Sequence, residues 1–579
     1  MVALPLVEIV ARRFATGIPG SSAFTQHLTL WVTFLGAALA AREGKLLSLA
    51  TTAFWKEGPW RRIAEAFAGA VGALVTVLLF RASLELVRVE REFASDLALG
   101  IPVWLAQAVM PVGFAIIALR LVWKASDRWW GRAVALSGLT LGLWLGQQPG
   151  LLEGRADWPG VALILVATLL GSPIFAVLGG FAVLFFMTEG VPLAAVPSET
   201  YRLATSPLLA AIPLFTLAGF LLAEGQAAHR LVRVFRAFFG WIPGGTAVVC
   251  AVVCAFFTIF TGGSGVTILA LGGLLFVGLR EEGYEERFSL GLLTASGSLG
   301  LLLPPALPLI LYGIVAQVPM ERLFVGGLVP GVILVALVAA WGVREGVRGE
   351  VERAPFHAGE ALRAAWTAKW ELLLPGVVLV AIFTGWATLV ETSALAAFYA
   401  LCTQTFVHRD VSSFRQLFRV FTDCVVLLGG VLIILAVAMG LTNYLVDAQV
   451  PSRLLEWGLE AIDSKLVFLL ALNVFLLLVG CLMDIFSAIV VVVPLIAPLG
   501  VAFGVDPVHL AIVFIANLEL GYMTPPVGLN LFLASYRFER PLMEVYRAAL
   551  PYLGLRAVGV LLITYLPWLT TAPLEWWEG

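Results

Sequence analysis

The sequence of 579 residues is 60% apolar and only 13% charged, whereas about a quarter of the residues in a soluble domain are charged. This composition excludes an ordinary soluble protein and indicates an all-α polytopic membrane protein with about 15 spans, since one span takes about 20 apolar residues. The net charge of −2 offers no basic surface of the kind that nucleic acid requires.

The sequence of residues 1–150 predicts a static membrane scaffold. Trp129 and Trp130 stand beside charged residues, where amphipathic rings favour the headgroup region of a bilayer. The region has no pattern typical of an interrupted helix. We expect a scaffold domain here and a transport domain over residues 151–579. The apolar helices predicted in the scaffold are at residues 24–41, 63–86, 101–122 and 133–145.

The sequence TGGSGVT, from Thr261 to Thr267, predicts the tip of a re-entrant helical hairpin. Such irregular backbone is tolerated at membrane depth only where it is buried in protein or lines a cavity. The free N–H groups of the following half-helix carry partial positive charge, which suits an anionic substrate. The alternative is a face of small residues for helix packing. We expect Ser264, Gly265 and Thr267 to contact substrate.

A second hairpin is marked by Asp484, within GCLMDIFSAIVVVVP. An acidic residue between such apolar runs is costly and is a functional hypothesis by default. Its partner could be a sodium ion, a hydroxyl such as that of Ser487, or the N-terminus of the next helix, which it would cap. We interpret Asp484 as a cation ligand, and Ser487 and Asn530 as substrate contacts.

Two stretches share one pattern at a constant offset of 221 residues: 294–313 (TASGSLGLLLPPALPLILYG) and 515–534 (IANLELGYMTPPVGLNLFLA). Pro304-Pro305 in the first falls on Pro525-Pro526 in the second. A prolyl pair that follows small and polar residues within an apolar segment indicates an interrupted membrane helix. One such helix in each of two related halves points to a transporter binding site.

The two copies belong to halves at about residues 158–343 and 370–570, which the charged stretch 344–369 separates. We expect the halves to be inverted repeats, because such repeats are common among transporters with interrupted helices.

The interrupted helices also predict a cation site. Proline has no N–H group, so the prolyl pairs leave the carbonyls of Gly300 and Gly521 without helical donors. Freed carbonyls and nearby side-chain oxygens are good ligands for a hard cation such as Na⁺; the alternative is a structural kink satisfied by neighbouring hydroxyls. Glu519 is a weaker candidate, since it could face water or scaffold. The predicted cation ligands are Ser296, Ser298, Gly300, Asp484, Asn517, Gly521 and Thr524.

The sequence contains no motif of a known catalytic site: no Walker A, HExxH or GxSxG pattern occurs. The five histidines have no metal-binding spacing, and the five cysteines lie in apolar segments. We therefore expect that the protein is not an enzyme. Since it has no Walker A motif, the energy for transport must come from an ion gradient or from another subunit.

Several long motifs occur in the order typical of one family. TGGSGVTILALGG, RFSLGLLTASGSLGLLLPP, GCLMDIFSAIVVVVPLIAP and NLELGYMTPPVGLNLFLAS closely resemble the large membrane subunit of tripartite ATP-independent periplasmic (TRAP) transporters. The resemblance covers about residues 158–570. The N-terminal segment IPGSSAFTQHLTLWVTFLGAALAAREGK resembles the family's small membrane subunit, fused in front.

The resemblance implies a sodium-coupled importer of organic acids in the bacterial inner membrane, which takes its cargo from a soluble periplasmic binding protein. It also implies an elevator-type fold, and a sodium and substrate region that includes Ser264, Ser296, Asn517 and Thr524. The sequence departs from the family pattern at four places: a short first helix before Ala15-Thr16, Thr25-Gln26 with Lys45, Ala306, and the residues before Glu391.

Two other readings are open. The first is an elevator carrier of the dicarboxylate/sodium symporter or ion-antiporter type that works without a soluble partner. The second is a membrane scaffold, sensor or enzyme, against which the paired interrupted helices and the lack of catalytic spacings argue. The sequence names neither the organic acid nor the oligomeric state.

Overall fold

The structure is a computed structural model that describes residues 1–14, 17–48, 58–93, 95–349, 355–525 and 528–579. Pro526, Ala15 and Thr16 lie outside the described residues. The first third of the chain contains the helices α1 (Ala3–Arg13), α2 (Ser21–Glu43), α3 (Pro59–Phe93), α4 (Val103–Gln107), α5 (Val109–Lys124), α6 (Trp129–Leu145), α7 (Trp158–Leu169), α8 (Ile174–Thr188) and α9 (Ala195–Ala204), and the short antiparallel strands β1 (Asp96–Ala98) and β2 (Ile101–Pro102).

The remaining elements are all helical. They are α10 (Ala211–Glu224), α11 (Ala227–Phe239), α12 (Gly245–Thr261), α13 (Ser264–Glu281), α14 (Glu286–Ser296), α15 (Leu307–Ala316), α16 (Met320–Arg348), α17 (Ala358–Thr367), α18 (Lys369–Phe383), α19 (Leu389–Cys402), α20 (Phe414–Asp447), α21 (Val450–Ala461), α22 (Lys465–Leu482), α23 (Ile485–Ala502), α24 (Pro507–Gly521), α25 (Leu529–Phe538), α26 (Leu542–Tyr565) and α27 (Trp568–Glu578). A π-helical turn, Thr403–Val407, extends α19.

Within the described residues, nine helices are long and apolar enough to cross a membrane, or up to 11 if each of two sharply bent helix pairs counts as one span. The all-α polytopic fold is thereby confirmed. The number is lower than the about 15 spans expected from composition, because much of the apolar sequence lies in shorter helices of 10–17 residues. Those shorter helices include α12, α15 and α24, which are parts of the predicted hairpin and interrupted helices.

The chain divides into two compact units. The first comprises residues 3–213 and 421–453, and the second comprises residues 214–420 and 454–579. The boundary predicted at residue 150, between a scaffold domain and a transport domain, stays a prediction. The first unit also takes in α7–α9 and most of α20.

Close backbone contacts explain why α20 belongs to the first unit. A Cβ added to Gly429 would lie 2.0 Å from the carbonyl carbon of Gly36, so the absence of side chains lets α20 and α2 cross almost in backbone contact. The hydroxyl of Thr200 in α9 donates to the carbonyl of Ala436 at 3.0 Å. Glycine also joins α6 to α3, since a Cβ at Gly138 would lie 2.2 Å from the carbonyl oxygen of Ala70.

The second unit contains both predicted hairpins and both interrupted helices. The first hairpin is α12–α13, broken at Gly262 and Gly263, and the second is α22–α23, broken at Met483 and Asp484. The first interrupted helix is α14–α15, and the second is α24–α25. Each hairpin thus has an interrupted helix that follows it in sequence, in agreement with the pattern that repeats at an offset of 221 residues.

Candidate ion and substrate site

The first interrupted helix opens between Ser296 and Leu307. The chain there forms a series of tight turns, with hydrogen bonds from Leu299 to the carbonyl of Ser296 (3.3 Å) and from Leu301 to that of Ser298 (3.2 Å). The carbonyl of Gly300 accepts from the N–H of Leu303 at 3.1 Å. Pro304 cannot supply the helical donor to Gly300, and a three-residue turn supplies the N–H of Leu303 instead. A role of the Gly300 carbonyl as a cation ligand stays a prediction.

The tip of the first hairpin packs against this break. Gly262 ends α12 with a φ of 63°, and a Cβ there would lie 2.2 Å from the side chain of Leu307. Only glycine combines that left-handed conformation with so close an approach. The hydroxyl of Thr258 donates to the carbonyl of Gly297 at 2.9 Å and lies 2.8 Å from the hydroxyl of Thr267. Thr267 is therefore part of the contact between hairpin and break.

Among the buried hydroxyl and amide oxygens in this region, three have no partner in the protein. They are Oγ of Ser264, Oγ of Ser296 and Oδ1 of Asn530. The three side chains are 2%, 0% and 0% exposed, so bulk water does not satisfy them. A buried polar atom without a partner is costly, and in proteins such atoms are usually completed by an ordered water, an ion or a ligand.

These three residues come from different elements that meet at the first break. Ser264 begins α13, and its carbonyl oxygen lies 3.3 Å from the place that a Cβ of Gly297 would take. Asn530, near the start of α25, donates from Nδ2 to the carbonyl of Thr294 at 3.2 Å. A Cβ at Gly265 would lie 2.6 Å from the side chain of Leu533 in α25. The structure thus brings together predicted residues from both repeats.

The donor set fits the cation that the family resemblance implies. Hydroxyl, amide and carbonyl oxygens are hard ligands of the kind that Na⁺ takes at interrupted membrane helices. The N-terminus of α13, at Ser264, directs free N–H groups and partial positive charge to the same region, which favours an anion. In the part of the chain that the structure describes, no cluster of three or more His, Cys, Asp or Glu residues could hold a metal ion.

At the second hairpin, Asp484 caps α23. Its Oδ1 accepts hydrogen bonds from the N–H groups of Phe486 (3.0 Å) and Ser487 (3.1 Å). The hydroxyl of Ser487 donates to Oδ2. The helix-cap alternative for Asp484 is therefore the arrangement observed, and Ser487 is engaged in it. A role of either residue with a cation or substrate stays a prediction.

The second interrupted helix is held against the second hairpin. A Cβ at Gly521 would lie 2.6 Å from Gly480, and the N–H of Gly528 donates to the carbonyl of Cys481 at 3.3 Å. The carbonyl of Gly521 accepts from the N–H of Thr524 at 2.9 Å. As at Gly300, a three-residue turn replaces the helical donor that the proline cannot supply, and a role of the Gly521 carbonyl as a cation ligand stays a prediction. The hydroxyl of Thr524 donates a hydrogen bond to the carbonyl oxygen of Leu520 at 3.0 Å.

Asn517 lies in a buried amide network. Its Nδ2 donates to Oδ1 of Asn473 at 2.6 Å and to the carbonyl of Val513 at 2.8 Å. The hydroxyl of Thr564 donates to the same oxygen of Asn473 at 3.1 Å. The network joins α22, α24 and α26, so the structure gives Asn517 a structural role that its motif did not indicate. Asn473 was missed, although an amide within an apolar span is a signal that sequence reading can use.

Sequence reading also missed Arg556, in α26. Its guanidinium pairs with Glu519, and both side chains are completely buried. It also donates to the hydroxyl of Ser298 at 2.8 Å. Ser298 therefore has a protein partner, unlike Ser296. The signal was present in the sequence, because an arginine inside an apolar helix is rare and marks a functional or paired site.

Glu391, which follows one of the four departures from the family pattern, forms a capping box with Thr388 at the start of α19. Its Oε2 accepts from the N–H of Thr388 at 2.8 Å, and its own N–H donates to the threonine hydroxyl at 3.3 Å. This reciprocal pair satisfies two donors at the helix end.

Paired hairpins and paired interrupted helices, with unpartnered buried oxygens at one break, define a membrane transporter. Comparison with known proteins identifies the family. The family described as "Tripartite ATP-independent periplasmic transporter, DctM component" matches residues 161–569. The family described as "Tripartite ATP-independent periplasmic transporters, DctQ component" matches residues 1–130.

Curated relatives agree with these matches. The isethionate TRAP transporter permease protein DctMQ of Oleidesulfovibrio alaskensis is 32% identical over 501 residues, which are 84% of this chain and 77% of that protein. The C4-dicarboxylate TRAP transporter large permease protein DctM of Vibrio cholerae is 32% identical over 432 residues, 71% of this chain and 95% of that protein. The ectoine TRAP transporter large permease protein TeaC of Halomonas elongata is 28% identical over 412 residues, 70% of this chain and 96% of that protein.

The chain therefore belongs to the TRAP transporter family, and it joins a DctQ component and a DctM component in one polypeptide. It is a multi-pass protein of the bacterial inner membrane, and its relatives are transporter permeases rather than enzymes.

Proposed function

We propose that this protein is a sodium-coupled importer of small organic acids, carboxylates or sulfonates, which a periplasmic binding protein delivers. The observation that carries the proposal is the set of three buried, unpartnered oxygens of Ser264, Ser296 and Asn530. They lie where the first hairpin, the first interrupted helix and α25 meet, in a protein of the TRAP family.

The cation part of the proposal rests on the first break. The hydroxyl of Ser296 and the carbonyls of the turns that follow it are hard, neutral oxygen donors, which suit Na⁺. A neutral donor set leaves the cation's charge uncompensated. An anionic substrate bound nearby would balance that charge, so cation and substrate would favour each other's binding.

The substrate class follows from chemistry and from the relatives. The relatives are named for isethionate, C4-dicarboxylates and ectoine, which are small molecules with a sulfonate or carboxylate group. The N-terminus of α13 and the unpartnered oxygens can bind such a group together with a cation. The chain carries the DctQ component as well, which favours a partner-dependent importer over a carrier that works alone.

The transport assay tests the coupling. Purified protein in liposomes, supplied with its binding protein and a loaded organic acid, should take up substrate with an inward Na⁺ gradient. Uptake should collapse when K⁺ or choline replaces Na⁺ at matched ionic strength. Full uptake driven by a proton gradient alone would show that the coupling ion is not sodium. Equal uptake without the binding protein would favour the partner-independent carrier instead.

Ser296→Ala tests the ion site directly. The change removes a buried hydroxyl that has no protein partner, so the free energy of unfolding should stay the same or rise slightly. The Na⁺ concentration for half-maximal uptake should rise by about tenfold, the effect of losing roughly 1.4 kcal/mol of binding. Ser289→Ala is the matched control, since that hydroxyl lies in the same helix and donates to the carbonyl of Glu285 at 3.0 Å. An unchanged Na⁺ dependence in Ser296→Ala would remove this hydroxyl from the site.

We further propose that the second unit moves as one body in an elevator mechanism. It carries both hairpins and both interrupted helices, so each site would stay enclosed by the same helices during movement. Cysteines at Gly500 and Leu510 test this, because the side chain of Leu510 lies 2.6 Å from the Cβ position of Gly500. A disulfide there joins α23 to α24 and should leave uptake intact. Loss of uptake on oxidation, restored by reduction, would contradict a rigid body.

A further inference from the structure

The second unit contains a charged pair that lies entirely inside the protein. Arg556 in α26 contacts Glu519 in α24, and both side chains have no exposed surface. The desolvation of two such charges can exceed the energy of their attraction, so a buried pair is weak evidence for stability. In membrane segments such residues are rare and mark function or a specific partner.

The hydrogen bonds of Arg556 reach the first interrupted helix. Its Nη1 donates to the carbonyl of Ala295 at 3.1 Å and to the hydroxyl of Ser298 at 2.8 Å. Its Nη2 contacts Glu519 in the second interrupted helix. One guanidinium therefore links the two interrupted helices, each from a different repeat.

These contacts of Arg556 lie beside the proposed cation site. Ala295 and Ser298 lie on either side of Ser296, whose buried hydroxyl has no protein partner. Ala295 is in the last turn of α14, where the unpaired carbonyls carry partial negative charge. Arg556 places a fixed positive charge there and holds both ends of the segment that presents Ser296.

The pair is also incompletely satisfied. Oε1 of Glu519 and Nε of Arg556 have no hydrogen-bond partner. A half-satisfied buried network is less stable than an apolar core of the same shape. The pair therefore adds little to the overall stability of the fold, and its contacts to the first break call for another explanation.

We propose that Arg556 is a positioning residue of the cation site: with Glu519 as its counterion, it holds the segment 295–298 so that the hydroxyl of Ser296 and the neighbouring carbonyls face the ion. The inference rests on the proposed sodium coupling. It assigns to Arg556 no contact with the ion and none with the substrate.

The test compares variants that separate folding from positioning. The double variant Arg556→Met/Glu519→Leu removes both charges at similar volume, a replacement that is often neutral for stability, whereas removal of one charge leaves the other buried and unpaired. Arg556→Lys keeps the charge but replaces the planar fork of donors, which can reach several acceptors at once, with a single ammonium group. The control is Thr570→Val, which removes a buried contact of 2.9 Å to His509 of α24, a contact in which neither residue belongs to the segment 295–298. Thermal unfolding and uptake against Na⁺ concentration are measured for each purified variant.

The double variant should unfold within a few degrees of the unmodified protein and need about tenfold more Na⁺ for half-maximal uptake, as for the loss of one charge-assisted hydrogen bond. Arg556→Lys should show a smaller shift, and Thr570→Val should show none. A double variant with unchanged Na⁺ dependence would overturn the inference alone. If the double variant does not fold, Arg556→Lys decides: a shift supports the inference, and an unchanged Na⁺ dependence overturns it. An unmodified protein without Na⁺ dependence would overturn the proposed coupling, and this inference with it.

Discussion

Tyr522 and Ile485 join the second interrupted helix to the second hairpin: the hydroxyl oxygen of Tyr522 accepts a hydrogen bond from the backbone N–H of Ile485 at 2.6 Å. Ile485 is the first residue of α23, so its N–H has no partner within the helix. Tyr522 is the first residue after α24. One side chain from the break thus satisfies one of the free donors at the hairpin tip, while Asp484 satisfies two more.

Tyr522→Phe should therefore weaken the contact between break and hairpin. The change leaves the buried N–H of Ile485 without a partner, which costs about 1–3 kcal/mol. We expect a lower temperature of thermal unfolding in detergent and faster proteolysis at the hairpin. Tyr552→Phe is the matched control, because that buried hydroxyl reaches the carbonyl of Phe288 only at 3.4 Å. If both variants unfold at the same temperature, the hydroxyl of Tyr522 does not hold the hairpin.

The fold was largely predictable because its signals are local. Prolyl pairs, glycine-rich tips and an acidic residue in an apolar run change what the backbone can do within a few residues. The breaks after Ser296 and Gly521 and the hairpin tips at Gly262 and Asp484 lie where these signals predicted them. Local signals could not predict the division into compact units, because α20 joins the first unit through its contact with Gly36, which is distant in sequence.

The candidate site was predictable only in part. Ser264, Ser296 and Asn530 were named from their motifs, and the structure brings them to one region. The partners that occupy Ser298 and Asn517 are Arg556 and Asn473, which lie far away in sequence. Motifs show which polar groups a segment offers, but not which groups are already satisfied, because that depends on the packing of distant helices.

The substitution Asp484→Asn keeps a helix-capping side chain but removes its negative charge, so it tests the two roles of Asp484 separately. Both carboxylate oxygens of Asp484 accept hydrogen bonds from the hairpin itself. Asparagine is also a good helix cap, whereas alanine at such a position costs about 1 kcal/mol. We expect Asp484→Asn to keep both the unfolding temperature and the Na⁺ dependence of uptake, and Asp484→Ala to lower the unfolding temperature. Weaker Na⁺ dependence in Asp484→Asn, with normal stability, would instead make the carboxylate a cation ligand, as the sequence suggested.

Asn517→Ala should lower stability, because Asn517, which the sequence predicts as a cation ligand, also lies in a buried hydrogen-bond network. The change removes the donor to Asn473 and should cost about 1–2 kcal/mol. A double-mutant cycle with Asn473→Ala should show that the two effects are not additive, because the residues share one hydrogen bond. Thermal unfolding measures the cycle. Additive effects would contradict the network, and a shift in Na⁺ dependence without loss of stability would restore Asn517 as a ligand.

The last prediction concerns Asp410, which follows the π-helical end of α19 and lies outside the membrane-spanning helices. Its Oδ2 accepts hydrogen bonds from Arg230 and from the N–H of Gln226, both at 2.8 Å. Arg230 also pairs with Glu371, at 2.6 Å. Partial burial raises the pKa of Asp410, but the hydrogen bonds and charge of Arg230 together with the Gln226 N–H outweigh it, so the pKa lies below its ordinary value.

A lowered pKa in the folded protein means that the ionised form of Asp410 stabilises the fold. This contribution is fully present above the ordinary carboxyl pKa of about 4 and is lost as the pH falls through the lowered value. Asp410→Asn should therefore reduce the free energy of unfolding by about 1 kcal/mol at neutral pH. The difference from the unmodified protein should shrink as the pH falls below about 4. Thermal unfolding at a series of pH values measures this difference.

Asp423→Asn is the control, since that side chain is 47% exposed and lies 4.0 Å from Lys45, and the substitution should have little effect at any pH. If Asp410→Asn lowers the free energy of unfolding equally at every pH, the negative charge of Asp410 does not contribute to its interaction with Arg230 and Gln226.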